Sequence, residues 1–238
     1  LGNFKEKNIQ KYTVYKYPQS RKRTTKEKNI NLRFFPEGGN LIKGVLSNVA
    51  FETTDAYGNP VALSGRIVSR GKEEIGAFTT THEGRGVFTY VPSGENSDRA
   101  EVEFDGKKYR FDLPEAQLQG YVMQVDNLSS EDSISVKVQK NSHTPTAVLG
   151  LAIVAHGKLL NFCMINIHKN TPVSFKLDKS AWMPGVVQVV LFDTKGQIIA
   201  DRLVFARKPK LLTITAQKNK ENYFPFDRVV LEFTVHDT

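Results

Sequence analysis

Phe34-Phe35-Pro36-Glu37-Gly38-Gly39-Asn40-Leu41 leads, after a short gap, into Val49-Ala50-Phe51-Glu52-Thr53-Thr54-Asp55-Ala56-Tyr57-Gly58-Asn59-Pro60-Val61. Each is a short run in which apolar and polar residues alternate, and each stops at Gly/Pro turn chemistry. That pattern predicts two strands half-buried in an antiparallel sheet, the opening of a β-sandwich. A second stretch, Gly185 to Phe192, then Asp193-Thr194-Lys195-Gly196, then Gln197 to Phe205, reads as a hairpin closing another domain around an Asp-x-x-Gly turn.

Working outward, the chain divides into four parts. Residues 1–30 read as a basic linker or the end of a preceding domain, with strand-like composition at Lys11–Tyr17 up to Pro18. Residues 31–118 hold seven short strand patterns, with Asp105-Gly106 as a two-residue hairpin turn whose central positions both need positive φ. Leu113–Tyr121 is a connector, since Pro114 interrupts the strand pattern and Gly120 allows a change of direction. Residues 119–209 hold seven more strands, among them Thr171–Lys176, with His156-Gly157 turning one hairpin. Within this set Val186–Leu191 is apolar at nearly every position, the expectation for a strand buried on both faces or nearly so. Residues 210–238 read as the first strands of a truncated third domain, because Val229–Asp237 repeats the rhythm of Val49–Asp55. The fold class is therefore all-β, with tandem immunoglobulin-like seven-stranded sandwiches.

Composition agrees with that division. The 238 residues are 39% hydrophobic and 10% aromatic, enough for two sandwich cores. No apolar run approaches the ~18 residues that would span a bilayer. The chain begins without Met and without a secretion signal, so the expectation is a piece of a longer protein. Of the formal charge of +8, nine Lys/Arg against two Glu place +7 in residues 1–30, leaving about +1 over the other 208. A nucleic-acid-binding domain would spread basic residues over a folded face. The leader therefore reads as a solvated segment, with contact to an anionic surface as the alternative.

Candidate chemistry is sparse. The single cysteine, Cys163, has no intrachain partner and sits among apolar residues, as a buried small hydrophobe would. His82-Glu83 lacks the second His of a zinc-protease helix. Asp55, Asn59, Asp193 and Asp201 could offer oxygens to calcium, but Asp55 and Asp193 each precede a Gly by three residues, ordinary turn chemistry. Asp201-Arg202 could make a charge-assisted contact at a strand end, and Trp182 could stack on a sugar or cover the end of a sandwich. Gly38, Gly39 and Gly44 do not form a phosphate loop. No catalytic, cofactor-binding or metal-binding residues are assigned, and no cofactor is expected.

The FFPEGG opening, Phe51–Val61, His82–Pro92, Leu113-Pro-Glu-Ala116 with Gly120-Tyr121, and Leu191–Phe205 together resemble the macroglobulin-like domains of large Bacteroidetes cell-envelope proteins, themselves similar to the N-terminal modules of bacterial α2-macroglobulins. That resemblance implies macroglobulin-like sandwiches in an exported protein of the periplasm or outer-membrane surface. Their partners would be other domains of the same chain, with envelope proteins or proteases further possibilities, no nucleic acid, and the membrane only through an anchor outside this segment. The resemblance leaves function open, and because no nucleophile–base pair or metal set can be assembled from these residues the leading expectation is a non-catalytic structural or interaction module of a larger multidomain protein. The alternatives are the scaffold of a protease trap and a glycan-binding module. The trap's Cys-x-Glu-Gln thioester is not available at Cys163, which is followed by Met164, Ile165 and Asn166.

Overall fold

The computed structural model describes residues 30–69, 73–92, 98–168, 171–207 and 212–237, and the basic leader with its Lys11–Tyr17 pattern lies outside them. Among the described residues every regular element is a strand. The order is β1 (Ile30–Pro36), β2 (Leu41–Ile42), β3 (Ser47–Asp55), β4 (Ser64–Val68), β5 (Glu74–Thr79), β6 (Arg85–Tyr90), β7 (Arg99–Phe104), β8 (Lys107–Asp112) and β9 (Ala116–Gln117), then β10 (Tyr121–Asp126), β11 (Ser133–Lys140), β12 (Ala147–Ala155), β13 (Lys158–Ile167), β14 (Val173–Asp178), β15 (Gly185–Phe192) and β16 (Ile198–Ala206), and finally β17 (Leu212–Lys218) and β18 (Leu231–Asp237).

The first sandwich packs a three-stranded sheet, β1-β3-β6, on a four-stranded one, β5-β4-β7-β8. The second repeats the arrangement strand for strand, β10-β11-β14 on β13-β12-β15-β16. All these pairings are antiparallel. In both, the fourth strand pairs with the third, so the sheets split three and four. β17 and β18 form a separate hairpin.

Alternation builds each core. Along β3, Val49, Phe51 and Thr53 point inward and are buried. Phe51, Phe78 and Phe88 meet there in edge-to-face and tilted contacts, with Phe51 and Phe78 centroids 4.8 Å apart. In the second sandwich, Val136, Leu151, Ile165, Val189 and Leu191 fill the space between the sheets. The Asp105-Gly106 and His156-Gly157 turns adopt positive φ at both positions, as a tight hairpin requires.

Three expectations are corrected. β14 begins at Val173 rather than Thr171, because Pro172 has no N–H for the ladder, and it runs on to Asp178 opposite Ser133. The connector between the sandwiches contains a strand, since β9 pairs in parallel with β2. Val186–Leu191 is not covered on both faces: Val187, Val189 and Leu191 are fully buried, whereas Val186 is 54% exposed. A nearly continuous apolar run identifies a strand but not what lies over its second face.

A carboxylate at Phe51 or Leu191 would be an unpaired charge in a dry core. Phe51→Asp and Leu191→Asp should each cost more than about 4 kcal/mol, enough to unfold the sandwich that carries it, with loss of its cooperative transition in thermal circular dichroism. A melting temperature within a few degrees of wild type would contradict the inward orientation of these strands.

Candidate functional site at the domain junction

The residues that opened the sequence reading also build the junction. β1 ends at Pro36, the Glu37 N–H donates to Asn48 O (2.9 Å), and the Gly39 N–H turns back to Pro36 O (3.0 Å). Glu37 is thereby held over the second sandwich and is only 8% exposed. Its Oε2 accepts from Asn48 Nδ2 (2.7 Å) in its own domain, and its Oε1 accepts from the backbone N–H of Val125 (2.9 Å) in the other. Arg202 Nε on β16 lies 3.7 Å from the same Oε1. A buried carboxylate satisfied by two donors and a nearby cation is a strong, directional link, since hydrogen bonds to charged groups contribute roughly 1.5–3 kcal/mol each.

Close approach is part of the design. Gly38 has φ of 79°, and a Cβ there would lie 3.1 Å from the Ala200 Cβ and 3.4 Å from Met123 O. Gly120, at φ 148°, lies so near Ile42 that a Cβ would meet its Cδ1 at 2.5 Å. Around them Ile42, Val45 and Val122 form a small dry cluster bridging the two domains.

The rim is polar. Gln139 Nε2 donates to Leu46 O (3.0 Å), and Asn141 Nδ2 donates to Lys43 O (2.9 Å) and Leu118 O (2.8 Å). The Gly120 N–H donates to Thr144 Oγ1 (2.8 Å), fixing the exit of the connector. β9 is laid against β2, where the Lys43 N–H continues the ladder to Gln117 O (3.0 Å).

The other residues weighed on sequence grounds fall at separate places. Asp55 Oδ1 accepts from the N–H of Tyr57 (2.8 Å) and Asn59 (2.9 Å), and Asp193 Oδ1 from Lys195 (2.8 Å) and Gln197 (2.9 Å). Both carboxylates thus serve their own turns. Asp201 accepts from Gln188 (3.1 Å) on the opposite side of β16 from Arg202, so the two do not act as a unit. His82-Glu83 is an exposed turn before β6, with Glu83 at φ 44°. Trp182 is 4% exposed in the second core, with Nε1 3.3 Å from Asn161 Oδ1, and offers no flat platform for a sugar. Among the described residues no group of three or more His, Cys, Asp or Glu could hold a metal ion. Among the described residues no helix is long and apolar enough to cross a membrane.

Glu37 itself was not readable as a linking residue, because its partner Val125 lies 88 positions away. The available signal was a Glu fixed between Pro and two Gly with no helix start to cap.

No protein-family model matches the chain, and no curated protein does. Solved structures similar to it include the native conformation of Escherichia coli alpha-2-macroglobulin, at 11% identity and a TM-score of 0.28 over 87% of this chain and 17% of that one. A mutant of Salmonella alpha-2-macroglobulin is also similar, at 10% identity and a TM-score of 0.30 over 90% of this chain and 19% of that one. The chain thus spans less than a fifth of the length of either.

Two outcomes follow. Glu37→Ala leaves Val125 N–H and Asn48 without their acceptor and should cost about 2–4 kcal/mol, while Glu37→Gln keeps an acceptor and should cost clearly less; equilibrium urea unfolding gives the order, and equal losses would contradict it. Cys163 is half-buried at the edge of the second core rather than fully buried as expected, and this partial burial still holds its thiol above its ordinary pKa, so less thiolate is present near pH 8 than in an unperturbed cysteine. Its alkylation by iodoacetamide should be slower than that of glutathione near pH 8 and should rise with pH to a later midpoint; a midpoint at or below glutathione's would contradict the burial.

Proposed function

We propose that this chain is a non-catalytic spacer: two macroglobulin-like sandwiches, joined at a fixed angle, that hold other parts of a larger exported protein of the bacterial cell envelope in register. The observation that carries the reading is the Glu37 junction, where one carboxylate accepts hydrogen bonds from both domains inside a closely packed interface. A flexible tether needs no such link, and domains joined by linkers move by default unless their interface resists it. The sequence motifs shared with macroglobulin-like envelope proteins supply the biological setting. Partners are then the flanking domains of the same protein, reached through sheet edges and loops.

The test is distance distribution by pulsed electron resonance. Spin labels at Tyr57→Cys and Lys195→Cys, in a Cys163→Ser background, sit in exposed turns of the two sandwiches. A single narrow distribution that broadens in Glu37→Ala supports the rigid spacer. A broad distribution in the otherwise native chain overturns it.

A further inference from the structure

Among the described residues nothing covers the outer face of the β13-β12-β15-β16 sheet. Leu159, Phe162, Met164, Val186, Leu203 and Phe205 stand on this side of the sheet or at its margin, each between 52% and 62% exposed. Val186 lies directly opposite Phe205, and the Phe162 and Phe192 rings stack with centroids 6.0 Å apart. Gly150 makes room for this, since a Cβ there would lie 2.4 Å from the Phe192 ring.

The first sandwich shows that the architecture does not require such a face. Its equivalent sheet, β5-β4-β7-β8, is faced with an ion ladder: Glu101 accepts from Arg66 (2.8 Å) and Arg110 (2.9 Å), and Arg99 pairs with Asp112 (2.8 Å). One fold in one chain thus wears a solvated charged face and an apolar one. Contiguous apolar patches larger than a few hundred Å² mark interaction sites on soluble domains. Four strands about 4.8 Å apart and about eight residues long present roughly 500 Å² in projection. Two such faces together reach the roughly 1,000 Å² that a specific interface needs.

We propose that this face is a self-association surface, packed against the same face of a second copy of the chain across a two-fold axis. An isologous contact needs a patch that tolerates its own image. A sheet face dominated by Phe, Leu, Met and Val, on which Asp201 is already held by Gln188 (3.1 Å), does so, because it opposes no row of like charges and can interdigitate at the ~10 Å spacing of packed sheets. The junction lies elsewhere, so the proposal stands apart from the spacer reading.

Sedimentation equilibrium of the 238-residue chain from about 1 to 100 µM covers the Kd range of an interface of this size. Met164→Lys and Leu203→Lys alter strands at opposite margins of the sheet at exposed positions, so either can report if the other melts early. Val87→Lys, at a 63% exposed position on the first sandwich, is the control. The expected result is a dimer for wild type and Val87→Lys, with Kd raised at least ~10-fold by each of the other two substitutions. A wild-type chain that stays monomeric throughout overturns the proposal. So does a dimer that Val87→Lys dissolves and the Met164 and Leu203 variants leave intact.

Discussion

One buried carboxylate accepts hydrogen bonds from both sandwiches. Glu37 leaves water to accept from Asn48 on one side and Val125 on the other. A carboxylate is costly to desolvate, so it stays buried only where donors surround it. Asn48 belongs to the same domain and stays, but separating the domains takes away Val125 N–H and the nearby Arg202 together. The cost of burial and the geometry of the joint are thus the same constraint, and Gly38 and Gly120 are the points where backbone must come close enough for it to be met.

Repetition makes the differences between the domains informative. Identical strand order in the two sandwiches means that one core-building pattern has been used twice, with phenylalanines in the first and mainly aliphatic residues in the second. Inward positions are limited by packing in both. Outward positions are free to vary, and there the Arg66-Glu101-Arg110 ladder of one domain corresponds to the Phe and Leu surface of the other. The glutamate in that ladder has its pKa lowered chiefly by its hydrogen bond to Arg66, but it is exposed to solvent and adds little to stability.

Local chemistry was legible in the sequence, and distant chemistry was not. Asp105-Gly106 and His156-Gly157 announce their turns because positive φ is a property of two adjacent residues. Asp55 and Asp193 likewise show their roles within four positions, since each accepts from its own turn. Strand β14 starts after Pro172, whose missing N–H is a local property that the composition of Thr171–Lys176 does not show as a boundary. Val186–Leu191 failed for a different reason: hydrophobicity says that a side chain can be buried, not that something is there to bury it. Glu37 and β9 were missed because their partners are contributed by tertiary contact alone.

The same distinction separates what holds the chain together from what it offers to others. Interior residues such as Val189 and Leu191 are accounted for by the sandwich they fill, and the junction residues by the second domain they grip. The exposed Phe162, Met164 and Leu203 are accounted for by neither. A fold that can face the same sheet with charge, and does so in one domain, has no structural need to leave apolar side chains in water in the other. Their exposure is therefore set by neither the core nor the junction, and the outer face of the second sandwich is the part of the described chain whose composition its own contacts do not explain.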